Sequence, residues 1–366
     1  MPAIESIPTN DISLALQNIV KEAIKTKSPL YIHGGNSKLF YGNSVSASPL
    51  DVSPHTGIIA YDPTELCITV RAGTLLSDLE KIVESKNQIL PFDPPQYTPN
   101  ATIGGALAAG ISGPRRAYTG SARDAILGVK IINGEGEIVT FGGQVMKNVA
   151  GYDLSRMMVR SQGTLGVILE VSIRLLPKSK SEITISLEGS QSFALSYFQS
   201  IKMQQLPISA TAWFNDQTYL RLSGSEQVLT HHLNKISDEM QVRTIDDGLN
   251  FWTEIRDHKH HFFGRMDKPL WRLSLPPASE EITQMNDNQL IEWGGAQRWV
   301  NTNTPANIIQ SSANSRKGYA TLFNGDIPEV ACFPRLDVNL MKLHKQLKRN
   351  MDPHGIFNIG RMYVGL

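Results

Sequence analysis

The run Pro99-Asn100-Ala101-Thr102-Ile103-Gly104-Gly105-Ala106-Leu107-Ala108-Ala109-Gly110 constrains this chain more than any other stretch. A proline-broken loop passes into small residues, with two adjacent glycines where a helix would begin. Glycine lets backbone approach a ligand more closely than any side chain allows. A helix start leaves amide N–H groups unpaired and favours anions, phosphate above all. The stretch therefore reads as a cradle for the pyrophosphate of a dinucleotide. A small-residue helix packed tightly on a sheet has the same pattern, and this run alone does not separate the two.

The surrounding segment is unusually permissive: 13 of the 29 glycines lie between Gly104 and Gly166. Such backbone loses more entropy on folding than an ordinary segment, so a large ligand closely approached by main chain is the economical explanation. The 366 residues suit two domains, and a net charge of +1 without basic runs argues against a nucleic-acid groove. No apolar stretch is long enough to span a bilayer, and Met1-Pro2-Ala3-Ile4-Glu5 lacks a secretory layout. A cytoplasmic chain is expected. Cys67 and Cys332 are too few for an iron–sulfur cluster or a zinc site, so no metal is expected.

Taken in order, residues 10–27 read as an amphipathic helix capped by Asn10. A short strand, residues 29–32, ends in His33-Gly34-Gly35-Asn36-Ser37-Lys38. The amides of Gly34 to Ser37, the Ser37 hydroxyl and the Lys38 ammonium could form an anion-binding nest. Strands follow at 57–61 and 66–70, then a helix capped by Thr74 with Leu75, Leu79, Ile82 and Val83 on its apolar face. Strands 125–132 and 137–141 flank the hairpin turn Asn133-Gly134-Glu135-Gly136. A third glycine loop, Gly163-Thr164-Leu165-Gly166, runs into a long strand through Leu175. Beyond Pro177 glycine thins out and all five tryptophans appear. Strands at 183–186, 210–214 and 219–222, with a helix at 193–203, suggest an antiparallel sheet with helices on one side. A helix at 343–349 precedes a compact terminal turn.

No G-x-G-x-x-G follows a strand, which argues against a Rossmann site. Gly34-Gly35-Asn36-Ser37-Lys38, Thr102-Ile103-Gly104-Gly105 and Gly163-Thr164-Leu165-Gly166-Val167-Ile168 together resemble the FAD-binding domain of the vanillyl-alcohol oxidase/p-cresol methylhydroxylase (PCMH) type. Ser121-Ala122-Arg123-Asp124, the block from Gly142 to Asp153 containing Lys147-Asn148-Val149-Ala150-Gly151-Tyr152-Asp153, Leu270-Trp271-Arg272-Leu273-Ser274-Leu275-Pro276, and the tail Asp352-Pro353-x-Gly355-Ile356-Phe357-Asn358-x-Gly360-Arg361-Met362 resemble the E-subunit family of bacterial glycolate oxidases. Arg160, Tyr319 and Ile359 depart from that pattern, where glycine, histidine and proline are usual.

The resemblance implies an α+β chain: a two-subdomain PCMH-type FAD-binding domain at 1–178, an antiparallel α+β cap at 179–342, and a tail at 343–366 that docks back on the first domain. It implies FAD contacts from Gly34, Gly35, Asn36, Ser37, Lys38, Pro99, Thr102, Ile103, Gly104, Gly105, Gly110, Gly120, Gly163, Thr164, Gly166, Val167, Ile168 and Asn358. Family members with covalent FAD carry a histidine late in the first loop. Asn36-Ser37 stand there here, so the FAD is expected to be non-covalent. The implied function is as a flavoprotein subunit in oxidation of glycolate or a similar 2-hydroxy acid such as D-lactate. The implied partners are a second FAD subunit and an iron–sulfur subunit, with peripheral membrane association through that complex. A non-catalytic FAD-holding subunit and an independent hydroxy-acid oxidase remain open. A hydroxy acid calls for a cation at its carboxylate and a base near its hydroxyl. The candidates are Arg272 and, in the run His258-Lys259-His260-His261, His260 and His261; a structural arginine and a packing or contact loop are the competing readings.

Overall fold

The computed structural model describes residues 7–143, 154–264, 267–283, 285 and 288–366. The block at 147–153 lies outside the described residues. The chain divides into two compact units, Met1–Ile111 with Ser121–Lys178 and Arg335–Leu366, and Ser112–Gly120 with Ser179–Pro334.

In the first unit, β1 (Leu30–His33) pairs parallel with β2 (Ser48–Asp51). A five-stranded antiparallel sheet combines β3 (Ile58–Asp62), β4 (Cys67–Arg71), β6 (Ile126–Ile132), β7 (Ile138–Gly142) and β8 (Val167–Arg174) in the order β3-β4-β8-β6-β7. Between them β5 (Gln88–Ile89) pairs with β9 (Leu176–Pro177). The central strand β8 buries Val167, Leu169, Val171 and Ile173 completely, as the apolar alternation requires. The turn after Ile132 closes as read, with Asn133 N donating to Glu137 O at 3.0 Å and Gly136 N to Asn133 O at 3.0 Å.

Helix α1 (Ser13–Thr26) buries Leu16, Val20 and Ala23. Asn10 does not cap it. Its backbone bridges to Thr56, while the Asp11 carboxylate accepts from Ser13 N at 3.0 Å and its hydroxyl at 2.6 Å. Thr74 likewise does not cap α2 (Leu76–Glu84): its hydroxyl accepts from Gly57 N at 3.0 Å, and Leu76 rather than Leu75 joins Leu79, Ile82 and Val83 in the core. Both residues sit near a helix start, but a neighbouring strand supplies better partners.

The second unit is built on an eight-stranded sheet of β10 (Ser181–Glu188), β11 (Ile208–Phe214), β12 (Gln217–Gly224), β13 (Arg243–Thr244), β14 (Leu270–Ser274), β15 (Gln289–Glu292), β16 (Gln297–Asn301) and β17 (Tyr319–Asn324). Its order is β13-β10-β12-β11-β15-β16-β14-β17. Asn215 and Asp216, with φ of 50° and 55°, make the tight turn between β11 and β12. The helix Gln191–Met203 packs on Leu220, Leu222 and Ile291, and Ala306–Ser315 packs on Trp271, Leu273 and Val300. The segment Ser112–Gly120 belongs to this unit, not to the first as its sequence position suggests. Gly113 O accepts from Trp293 Nε1 at 3.0 Å, and Arg115 pairs with Glu182 at 2.7 Å. No helix among the described residues is long and apolar enough to cross a membrane.

Candidate functional site

Strand β1 stops pairing at His33, whose carbonyl accepts from Val52 N at 2.8 Å. The chain then turns through Gly34-Gly35 into Asn36, which takes the left-handed φ of 54°, and closes with Leu39 N donating to Asn36 O at 3.2 Å. The amides of Gly34, Gly35, Asn36 and Ser37 donate to no acceptor among the described residues. Successive unpaired amides in such a turn form a concave anion-binding nest. Tyr31, whose phenol burial holds neutral by pushing its pKa up, donates to Asn36 Oδ1 at 2.9 Å and braces the loop. A Cβ on Gly35 would overlap the Asn100 carbonyl, so this loop and the opening stretch interlock only through glycine.

That second stretch forms α3 (Ile103–Ala109) behind Thr102, whose hydroxyl accepts from Gly105 N at 3.2 Å. Ile103 N donates to Thr74 O at 2.9 Å, Gly104 N to Ala72 O at 2.8 Å and Ala106 N to Thr102 O at 2.9 Å. The first-turn amides are therefore occupied within the chain. The sequence reading of this helix start as a source of unpaired amides is corrected: those donors belong to the preceding loop, Gly34–Ser37. What α3 supplies is clearance. A Cβ on Gly105 would meet only the Thr102 hydroxyl, at 3.1 Å, whereas one on Gly104 would strike Ala72.

The third loop is clamped from both sides. Arg160 N donates to Leu107 O and Gln162 N to Ala108 O, each at 2.9 Å. Arg160 carries a φ of 69°, a backbone conformation glycine adopts without strain. From the tail, Asn358 accepts from Ile32 N at 2.7 Å and donates to Gln162 O at 2.7 Å. Buried Lys348 donates to Thr164 O at 2.7 Å, Phe357 O at 2.7 Å and Asp352 Oδ2 at 2.6 Å. Burial pulls the Lys348 pKa down against the opposing pull of Asp352.

These loops line an open cleft within the first unit. Gly34, Gly35, Asn36, Ser37, Lys38, Thr102, Gly104, Gly105, Gly163, Gly166, Ile168 and Asn358 line it. Lys38 lines it, but its ammonium donates to Pro95 O at 3.0 Å. Six expected contacts are not in the lining. Pro99 is exposed on the approach, and Ile103 and Val167 are core residues. Gly110, at φ 62°, ends α3; the Thr164 hydroxyl donates to Ser161 O at 2.7 Å. Gly120 falls in the second unit. The lining also includes Tyr31, Val52, Ala72, Ala108, Gln162 and Arg361, which the loop motifs did not single out. Arg361 is a buried cation that donates to the Leu39 and Tyr41 carbonyls at 2.9 Å each. Its neighbourhood favours an anion.

The family described as an FAD binding domain matches residues 13–142. The glycolate oxidase subunit GlcE of Escherichia coli (strain K12) is 43% identical over 357 residues, 97% of this chain and 99% of its own length. This chain belongs to the GlcE family of glycolate oxidase subunits. The glycolate oxidase subunit GlcD of Bacillus subtilis (strain 168) is 37% identical over 128 residues, covering 35% of this chain and 27% of that one. In fold, this GlcE-family chain superposes on a substrate-bound p-cresol methylhydroxylase with a TM-score of 0.72 and 13% identity, covering 97% of this chain and 88% of that one. FAD is the cofactor of the domain. The cleft fits it: a nest of unpaired amides for the pyrophosphate, a glycine wall, and apolar lining from Ile32, Val52, Ala72, Ala108 and Ile168.

The second unit holds the candidates for substrate chemistry. Arg272 is buried at 7% exposure, with Nε donating to Gln297 Oε1 at 2.8 Å. His260 is buried against Phe214 and Phe251, ring centroids 5.4 and 5.7 Å away, and His261 is exposed beside Phe214 at 4.9 Å. Burial, then the neighbouring His261, pushes the His260 pKa down to about 4. His258 stacks on Phe263 at 3.9 Å, and burial followed by the Arg272 charge pushes its pKa down to about 3. Both are neutral imidazoles at pH 7, set in an aromatic cluster that also includes Trp299 and Phe323.

Proposed function

We propose that this chain is the FAD-holding subunit of a 2-hydroxy-acid oxidoreductase complex, taking part in oxidation of glycolate or a close relative such as D-lactate to the 2-oxo acid. The observation that carries this reading is the four-amide nest of Gly34–Ser37, opening on a glycine-walled cleft, in a chain related to GlcE over nearly its whole length. FAD, when bound, supplies the two-electron chemistry. The chain's own residues position it: the nest binds the pyrophosphate, Gly105 leaves room, and Asn358 with Lys348 holds the third loop against β1. The FAD is non-covalent, because the first loop offers Asn36 and Ser37 where an attaching histidine would stand. His33 is engaged instead with Tyr31, 5.3 Å between ring centroids, and Asp51, 3.6 Å from Nδ1.

Electrons leave toward a partner chain. The relative is named a subunit, and a 2-hydroxy acid and a one-electron chain are most simply joined by a second FAD subunit and an iron–sulfur subunit. Two cysteines here, Cys67 and Cys332, cannot hold such a cluster. Anaerobic mixing of the purified chain with glycolate or D-lactate, alone and with its co-purified partners, tests the proposal by flavin absorbance. Bleaching in the assembled complex is expected; flavin that stays oxidised there would overturn the substrate assignment.

A further inference from the structure

Arg272, a buried cation of the second unit, keeps its outer donors open. On β14, Trp271 and Leu273 face the packed helix Ala306–Ser315, which turns Arg272 and Ser274 to the opposite face of the sheet. There Arg272 lies opposite Trp299 on β16 and Thr321 on β17. Its Cζ sits 5.5 Å from the Trp293 ring centroid and 5.9 Å from that of Trp299. A short relay fixes the guanidinium plane. Glu292 Oε2 accepts from Trp299 Nε1 at 2.6 Å and from Gln297 Nε2 at 3.0 Å, and Gln297 Oε1 in turn accepts from Arg272 Nε at 2.8 Å.

The relay consumes Nε alone. Neither Nη donates to an acceptor among the described residues, and neither is sealed from solvent. A guanidinium withdrawn this far from water is costly unless paired. Here it is oriented, flanked by two indoles and left with its outer donors open. Thr321 stands beside it on the same face, since directly opposed residues of an antiparallel pair project together.

From the juxtaposition of Arg272, Thr321 and the two indoles, we infer that the second unit of this chain carries its own receptor for a small carboxylate, the anionic group of a 2-hydroxy acid. The planar fork of Arg272 matches a planar carboxylate bidentately, and the hydroxy-acid reading above selects a carboxylate over a phosphate. Arg272 binds the two oxygens, Thr321 supplies a further donor, and Gln297 with Glu292 are positioning residues. This rests on the hydroxy-acid reading above and deepens it, because the receptor would place substrate recognition on this chain and not on a partner alone.

The test is calorimetric titration of the full-length, FAD-loaded chain with glycolate, with the neutral isostere glycolamide and with inorganic phosphate. Glycolate should bind saturably and be preferred to both others. Arg272→Gln should weaken glycolate by about tenfold or more, the scale of one lost charge-assisted pair, with flavin content unchanged. Arg272→Lys should fall between the two, and Thr321→Val should weaken glycolate about threefold. If Arg272→Gln does not fold, the Lys and Val variants carry the same ranking. Absent glycolate binding, equal affinity for glycolamide or phosphate, or variants that match the parent would each overturn the receptor. Flavin content reports on the cofactor assignment separately, so the two failures are distinguishable.

Discussion

Replacing Asp352 by alanine should cost the first unit about 3–5 kcal/mol, the usual penalty for leaving a buried charge without its partner. Asp352, 2% exposed, takes the Lys348 ammonium at 2.6 Å, Phe357 N at 2.9 Å and Ile356 N at 3.1 Å. Alanine leaves the ammonium with two carbonyls and strands both amides. The same turn carries Asn358 against Ile32 and Gln162, so the third loop of the FAD cleft loosens with it. With an m-value of about 2 kcal/mol/M, the urea midpoint for flavin release should drop by about 1.5–2.5 M. The deficit has a pH signature. Without Asp352 only burial acts on Lys348, lowering its folded pKa further below 10.5. A base with a depressed folded pKa gains stability as pH rises toward its unfolded value. Asp352→Ala should therefore recover, relative to the parent, as pH rises from 7 toward 10.5. Adding Lys348→Met should restore part of the loss at pH 7, since no unpaired charge then remains. A single variant within 0.5 kcal/mol of the parent, or a double variant no better than the single, would refute this account of the clip.

Other consequences are simpler to read. Thr102→Val removes the cap on α3 and should cost about 1 kcal/mol in unfolding by denaturant; an unchanged midpoint would contradict the role of its hydroxyl. His260, buried with its pKa near 4, is protonated more readily in the unfolded chain, so stability is full above about pH 6.5 and falls as pH drops toward 4. At pH 5 His260 should account for about 2 kcal/mol of the loss and buried His258, with its pKa near 3, for a similar share, read by the tryptophans, all of which lie in the second unit, and His260→Asn should remove about half of the slope. Acid precipitation should leave FAD in the supernatant; a yellow pellet would contradict non-covalent binding.

Much of the cofactor site was legible because it is local. Three glycine loops could be found by composition and strand ends, and Asn133 and Asn215-Asp216 announced their turns by residue type. Arg160 was visible as an anomaly, and its φ of 69° gives the reason glycine suits that position. The hydrogen-bond partners were not legible. Whether the amides of α3 are open depends on the Ala72 and Thr74 carbonyls, some thirty residues away in sequence. The same holds for Asn358, which joins two loops that precede it by 196 and 326 residues. Segment Ser112–Gly120 was misassigned for a related reason: its partners Trp293 and Glu182 lie far along the chain. Arg272 could be named from its strand, but its open Nη groups appear only once Gln297 and Glu292 are placed.

The most direct test of the central claim is the flavin content of purified Gly105→Asp. The position is the third residue of α3 behind Thr102, where aspartate completes a capping box and favours the helix, so the variant should fold. Its carboxylate would stand in the wall of the cleft, where Gly105 leaves room. Like charges at about 4 Å repel by about 4 kcal/mol at an effective dielectric of 20, about a thousandfold in affinity. Gly264→Asp, at a glycine with nothing within 4 Å of an added Cβ, is the matched control. A folded, colourless Gly105→Asp beside a yellow Gly264→Asp is the predicted result; stoichiometric FAD in Gly105→Asp would contradict it.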